Sequence, residues 1–214
     1  DFRRSYNFVP ADLSSPPLVS VVTGYYDGGT TFVDTIRSVL RQSLQQWEWI
    51  IVNDGSNSEL LRAQVRELGA QDARFRVVEN AENLGRSAAR NQGVALARSE
   101  FIYLLDQDDL IEEVTLERCL FHLLAHPSCA FVNSWSIAFG GEELLWPRGF
   151  EEGEAFLSEK LATGRAMIRK SVYESVGGQD DDFKEGFEDW DFWIRSASRS
   201  FWGYTIPEYL DWHR

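Results

Sequence analysis

At 214 residues the chain has about one domain's worth of sequence and can bury roughly 70 % of its unfolded surface. Its 43 % hydrophobic and 26 % charged residues exclude the disordered, collagenous and coiled-coil classes. Its longest apolar runs, Trp49 to Val52 and Phe101 to Leu105, fall far short of the roughly 20 residues that cross a bilayer. A formal charge of −13 opposes association with nucleic acid or an acidic membrane surface, so no nucleic-acid partner is expected.

The chain opens on Asp1-Phe2-Arg3-Arg4, with no charged-then-apolar leader, and Met167 is its one methionine; it reads as an excerpt of a longer chain. Residues 1–17, ending in Ser14-Ser15-Pro16-Pro17, read as an extended arm before a domain spanning 18–214. From Leu18 onward, short branched-apolar runs alternate with stretches of helical period, the pattern of βαβ units in an α/β fold with a mainly parallel sheet. Strand Leu18–Thr23 is followed by a helix over Thr31–Arg41 that places Phe32, Ile36, Val39 and Leu40 on one face. Next come strand Trp49–Val52, a helix from Ser58 to Gly69, strand Phe75–Glu79 and a helix from Arg86 to Ala97. The all-apolar strand Phe101–Leu105 reads as a central strand covered on both faces. Beyond it the pattern loosens into a helix from Glu113 to Ala125, a strand Ala130–Phe139 with a hairpin-like Gly140-Gly141, and a Gly- and Glu-rich stretch from Arg148 to Gly164. A last helix runs from Ile194 to Arg199. Cys119 and Cys129 form neither a disulfide framework nor a metal-ligand spacing, and a reducing compartment is expected.

Parallel sheets bind ligands at the carboxyl ends of their strands, where helix N-termini and loops present free backbone donors. Three polar clusters fall there: Tyr25-Tyr26-Asp27, Asn53-Asp54-Gly55-Ser56 and Asp106-Gln107-Asp108-Asp109. In extended backbone Asp106 and Asp108 would project to one side and Gln107 to the other, aiming two carboxylates at one ion. An Asp-rich turn capping the next helix is the alternative; a hard cation, Mg2+ or Mn2+, completed by phosphate oxygens would relieve the repulsion among these groups. In Gly186-Phe187-Glu188-Asp189-Trp190-Asp191, Glu188 and Asp189 fall in a first helical turn. There they stabilise the helix and, in an aromatic pocket that raises a carboxyl pKa, can serve as a general base.

Taken in order, Val19 to Asp27, Ser38 to Ser43, Trp49 to Ser56, Asn83-Leu84-Gly85-Arg86-Ser87-Ala88-Ala89-Arg90-Asn91, Leu105 to Asp109, Arg169 to Gly178 and Phe187 to Asp191 resemble a family 2 glycosyltransferase of the GT-A fold. The resemblance covers about 190 residues. It implies a Rossmann-like nucleotide-sugar half at 18–110 and a mixed-sheet acceptor half at 111–214. It also implies a reaction in which a sugar leaves a nucleotide diphosphate, UDP being the expected carrier, for an acceptor hydroxyl with inversion. Carried over by position, Gly24 admits the base, Tyr26 packs on it and Asp54 accepts its hydrogen bond. Arg90 faces the nucleotide, Asp106 lies near the ribose, and Asp108 with Asp109 holds the metal. Asp189 is the general base and Glu188 shapes the acceptor pocket.

The family commonly has Pro where Gly24 stands and Asp where Asn53 stands. It usually continues past Arg214 with a basic, His-containing segment, and His213 itself reads as a surface or packing residue. Sugar and acceptor preference would lie between Ser134 and Gly164, where Trp135, Trp146, Arg148 and Phe150 either contact sugars or pack; the acceptor, whether glycan, lipid-linked or protein, is left open. Cell-envelope polysaccharide synthesis in the cytoplasm, at the inner face of the membrane through peripheral association, is the expectation at family level. A dinucleotide oxidoreductase would need GxGxxG after the first strand, an aspartyl-phosphate phosphatase its acidic pair there, and a P-loop enzyme a GK[ST]; none is present. The alternative from another class is a glycosyltransferase-like module that binds nucleotide sugar or glycan without turnover.

Overall fold

The computed structural model describes residues 14–141, 143–147, 164–183 and 186–214. The arm's residues 1–13, and Arg148 and Phe150 with most of the Gly- and Glu-rich stretch, lie outside the described residues.

The strands are β1 (Val19–Tyr25), β2 (Trp47–Asn53), β3 (Phe75–Glu79), β4 (Phe101–Leu104), β5 (Leu110–Ile111), β6 (Phe131–Ala138), β7 (Leu144–Trp146), β8 (Ala166–Arg169) and β9 (Gly203–His213). The helices are α1 (Thr31–Leu40), α2 (Glu59–Gln71), α3 (Arg86–Leu96), α4 (Thr115–Ala125), α5 (Lys170–Val176) and α6 (Glu188–Ala197). One sheet runs β3-β2-β1-β4-β8-β6-β9-β5, with β7 added to β6. β3, β2, β1 and β4 are parallel, as the βαβ pattern requires, and β8 enters antiparallel to β4 to begin the mixed half.

Alternation along β1 and β2 decides which helices cover which face. Val19, Val21, Trp49 and Ile51 join α1, α2 and α4 through Phe32, Ile36, Val65, Leu116 and Leu120. Val22, Ile50 and Val52 join α3, α5 and α6 through Ala89, Val94, Val172, Phe192 and Trp193. Both faces of β1 and β2 are therefore buried, which is why these strands read as nearly continuous apolar runs. Gly93 of α3 lies so close to the sheet that an added Cβ would sit 2.5 Å from Val22 Cγ1; a side chain there would lift the helix from β1.

Several elements exceed the sequence expectation, β5, β7 and α5 among them, and three have a legible reason. β8 is four residues long and passes directly into α5, too short a run to register by period. β9 carries Pro207, which would argue against a strand. Its register against β6 jumps between Ser134–Ile206 and Trp135–Tyr209, so the proline sits in an irregularity where no ladder N–H is needed. α6 starts at Glu188, six residues before the helix read over Ile194–Arg199, with Glu188 and Asp189 in its first turn as the acidic cluster suggested.

At the edge of the sheet away from the strands' carboxyl ends, Glu48 is fully buried. It accepts hydrogen bonds from Ser20 Oγ (2.7 Å), the Arg98 amide (2.7 Å) and Nε (2.7 Å), and Arg76 Nη1 (3.0 Å). Burial alone would raise its pKa, but these donors together outweigh it and hold the group below the usual carboxylate value. A carboxyl depressed on folding adds stability that is complete above its unfolded value and is lost as pH falls through the folded one. The stability gap between wild type and Glu48→Gln, measured by urea unfolding, is accordingly expected to be widest at neutral pH and to close as pH falls through and below the usual carboxylate range.

Candidate functional site

Two adjoining cavities open where the parallel strands end. The first, of about 460 Å3, is lined by Gly24, Tyr26, Asp54, the N-terminal turn of α3, Asp106 and Asp108. The second, of about 360 Å3, is lined by Arg165, Phe187, Asp189 and Trp146 among others. Arg86, Asp106, Gly186, Glu188 and His213 belong to both and form the wall they share. Of the residues to which the family resemblance assigns a role, all but Asp109 line one or both cavities; of the described candidates for sugar contact, Trp146 lines the second and Trp135 lines neither.

The first cavity is shaped by loops that brace each other. Gly24 packs closely on Ala89: an added Cβ would lie 3.2 Å from the Ala89 methyl, which would have to give by a few tenths of an ångström. Tyr26, 39 % exposed, is fixed at the rim because its hydroxyl accepts from Asn57 Nδ2 (2.7 Å), which also donates to Asp27 (2.9 Å). Gln107 grips the backbone of Tyr26 on both sides: its Oε1 accepts from the amide at 2.9 Å and its Nε2 donates to the carbonyl at 3.1 Å. Asp54 is buried and accepts from Asn80 Nδ2 (2.9 Å), the Leu84 amide (3.0 and 3.1 Å) and the Gly85 amide (2.8 Å). The carboxylate thus fastens the entry to α3 onto the end of β2 while remaining part of the cavity wall. Gly55 allows this crossing: its φ is +70°, and a Cβ would fall 2.4 Å from the Glu82 carbonyl carbon.

The acidic segment departs from the alternation expected of it. β4 ends at Leu104, and residues 106–109 form a turn closed by the Asp109 amide on the Asp106 carbonyl (3.3 Å). Asp106, Gln107 and Asp108 consequently all reach the first cavity, instead of the two carboxylates on one side and the amide on the other. Asp106 pairs with the buried guanidinium of Arg90. Burial pushes its pKa up, but the Arg90 charge and hydrogen bond outweigh that and hold it at about 2. Asp109 goes elsewhere. Fully buried, it accepts from Arg165 Nη1 (2.5 Å) and the Arg214 amide (3.1 Å) and lies 3.1 Å from His213 Nδ1.

Asp108 is the carboxylate whose surroundings suit a cation. Burial and then the charges of Asp109 and Asp106 push its pKa up, and it accepts no hydrogen bond from another described side chain. Among the described residues no cluster of three or more His, Cys, Asp or Glu forms a complete metal cage. Asp108 therefore fits a divalent ion only as one protein ligand among phosphate and water oxygens, the arrangement typical of Mg2+.

The carboxylate pair of α6 enters from the other side. Glu188, 4 % exposed, accepts from Arg90 Nη1 (3.0 Å) and Arg86 Nη1 (3.2 Å). Arg90 thereby ties the turn after β4 to the first turn of α6, and the two carboxylates hold its pKa above the usual guanidinium range despite burial. Asp189, 7 % exposed, accepts from the Trp190 amide (2.8 Å) and lines the second cavity. The pair is thus set among arginines as well as aromatic rings, which modifies the apolar pocket expected from the sequence.

Arg165 is a site residue that sequence reasoning passed over, while Gln107, expected to project away from the two carboxylates, and His213, read as a surface or packing residue, also line the site. Arg165 is buried and binds Asp211 Oδ1 (2.8 Å) as well as Asp109; burial would lower its pKa, but these charges raise it. Its partners lie 46 and 56 residues away, beyond any local pattern. His213 is a wall of both cavities, its pKa raised first by the hydrogen bond to Asp109.

Residues 20–195 match the sequence profile of Glycosyl transferase family 2. The chain is 28 % identical over 204 residues to a putative glycosyltransferase, EpsE, of Bacillus subtilis, covering 92 % of this chain and 73 % of that one. It is 29 % identical over 202 residues to the uncharacterized glycosyltransferase MJ1057 of Methanocaldococcus jannaschii, covering 91 % and 69 %. Among solved structures, S. aureus TarS superposes with a TM-score of 0.76 at 17 % identity, over 91 % of this chain and 36 % of that one. A shorter TarS chain in complex with UDP-GlcNAc superposes at 0.71 and 17 % identity, over 91 % and 57 %. The chain thus spans less than two thirds of either TarS chain.

Proposed function

Because this chain belongs to glycosyl transferase family 2 and is a glycosyltransferase, we propose that it moves a sugar from a nucleoside diphosphate, UDP by preference, to an acceptor hydroxyl with inversion at the anomeric carbon. The observation that carries the reading is the shared wall: a nucleotide-sized cavity bounded by Tyr26, Asp54 and Asp108 abuts a second cavity bounded by Asp189. The UDP and UDP-GlcNAc complexes of TarS, which share the fold, favour a UDP-sugar as donor.

In this reading the base enters between Gly24 and Tyr26, and Asp54 keeps the α3 entry loop in place around it. Asp106, kept ionised by Arg90, serves the ribose hydroxyls. Asp108 would hold Mg2+ or Mn2+, which when bound supplies positive charge to the diphosphate leaving group. Asp189 takes the proton from the acceptor hydroxyl. With one carboxylate placed for that work and Glu188 occupied by two arginines, displacement is direct and the product inverted. No helix among the described residues is long and apolar enough to cross a membrane. We place the reaction in envelope polysaccharide synthesis on the strength of the relatives' names, which include an O-antigen biosynthesis protein and a putative teichuronic acid biosynthesis glycosyltransferase.

The test is product analysis by mass and NMR with a panel of UDP-sugars and a chelator control. A β-linked product from an α-linked donor, lost with chelator and restored by Mn2+, is expected. An α-linked product contradicts the single-displacement assignment, and chelator-resistant transfer contradicts the role of Asp108.

A further inference from the structure

Gln107, between Asp106 and Asp108, reaches back 81 residues to Tyr26, where its Oε1 accepts from the main-chain amide (2.9 Å) and its Nε2 donates to the carbonyl (3.1 Å). A neighbouring strand would hold a residue in the same way, with a peptide in place of the side-chain amide. A carboxylate there could only accept and an ammonium only donate, so the pair of bonds needs an amide. The fit is close: a Cβ at Gly28 would fall 2.8 Å from Gln107 Oε1, and the bare backbone leaves the amide its room.

The two ends of this clamp differ in how they are held. The main chain of Gln107 is anchored without it, because Thr35 Oγ1 donates to the Gln107 carbonyl (2.9 Å) and the Asp109 amide closes the turn on the Asp106 carbonyl (3.3 Å). The Tyr26 loop is the end that needs bracing. Asp27, next in the chain, has φ +45°, a left-handed conformation that persists only where its neighbours over-determine it. Asn57 holds the Tyr26 hydroxyl and the Asp27 carboxylate, and Ser56 Oγ accepts from the Asp27 amide (3.0 Å). Gln107 adds the hold on the main chain of Tyr26, whose ring stands at the rim of the first cavity.

On the nucleotide-sugar reading above, we infer that Gln107 is a positioning residue of the donor site: its clamp sets where the Tyr26 ring stands and ties the nucleobase wall of the first cavity to the turn that carries Asp106 and Asp108. Hydrogen exchange at the Tyr26 amide tests the clamp on the whole chain without any ligand. In Gln107→Leu and Gln107→Ala it is expected to be about tenfold faster than in wild type, with circular dichroism and melting temperature reporting that both variants fold. Calorimetry with uridine and with UDP tests the consequence. Affinity is expected to fall about tenfold in Gln107→Leu and in Tyr26→Ala, and no further in the double variant, because Gln107 acts through the ring. A merely structural contribution would add to the loss of the ring.

Unaltered exchange in the folded variants, unaltered nucleoside affinity in Gln107→Leu, or additive losses in the double variant would each overturn the inference. The donor reading fails separately. Exchange that depends on Gln107, with no binding of uridine or UDP by wild type, removes the donor reading and leaves the clamp on Tyr26. Nucleoside binding with unaltered exchange removes the clamp and leaves the donor reading.

Discussion

Asp189→Asn is expected to lower kcat for glycosyl transfer about 10³-fold while leaving UDP affinity within about twofold of wild type. The substitution keeps the side chain's size and its acceptor for the Trp190 amide, so α6 and the shared wall are retained. What it removes is the capacity to take a proton, which corresponds to about 4 kcal/mol of transition-state stabilisation. UDP affinity is predicted to hold because Asp189 belongs to the second cavity and not to the first. Steady-state kinetics with a saturating UDP-sugar, beside calorimetry with UDP, checks both halves. Transfer within tenfold of wild type would show that another group takes the proton.

The second large effect is expected at Arg165. Arg165→Met leaves Asp109 and Asp211, at 0 % and 1 % exposure, without their shared cation. Removing one partner of a buried ion pair typically costs about 3–5 kcal/mol, because the remaining charge stays desolvated. For a chain of this length the melting temperature should fall by about 10 °C. Adding Asp211→Asn to Arg165→Met should return part of the loss, since one stranded charge is then removed; of Ser134 and Ser136, which donate to Asp211 Oδ2 and Oδ1 at 2.8 and 2.6 Å, one can still donate to the amide oxygen while the other hydroxyl accepts from the amide NH2. Chemical denaturation of the two variants and of Asp211→Asn closes the cycle. A loss of less than about 1 kcal/mol for Arg165→Met would mean that the two carboxylates are neutralised by other means.

The parallel half of the fold and its site were legible for one reason. Val19, Val21 and Val22, or Trp49, Ile50 and Ile51, bury both faces of their strands, and the polar residues that end such strands are forced to the sheet's carboxyl edge. Tyr26, Asp54 and Asp106 follow from position alone. The turn after β4 was less legible, because whether Asp106, Gln107 and Asp108 alternate depends on where the strand stops, and apolarity at Leu105 does not mark the last ladder bond at Leu104. Asp109 was misplaced for a different reason. Adjacent in sequence to Asp108, it answers to Arg165, and a charge pair across 56 residues leaves no periodic trace. β9 was hidden by Pro207, whose missing donor is harmless only because the ladder is irregular there. Glu188 was placed beside the acceptor, yet its binding to Arg86 and Arg90 depends on the first turns of α3 and α6 meeting on one face of the sheet.

Calorimetric titration of UDP in the presence of Mn2+, with wild type and Asp108→Asn side by side, tests most directly whether the cavity at the ends of β1, β2 and β4 holds a nucleoside diphosphate. Saturable binding by wild type that weakens at least about tenfold in the variant, and weakens equally in wild type when Mn2+ is withheld, is the predicted result. No heat with wild type, or identical isotherms for the two proteins with and without the ion, would contradict it.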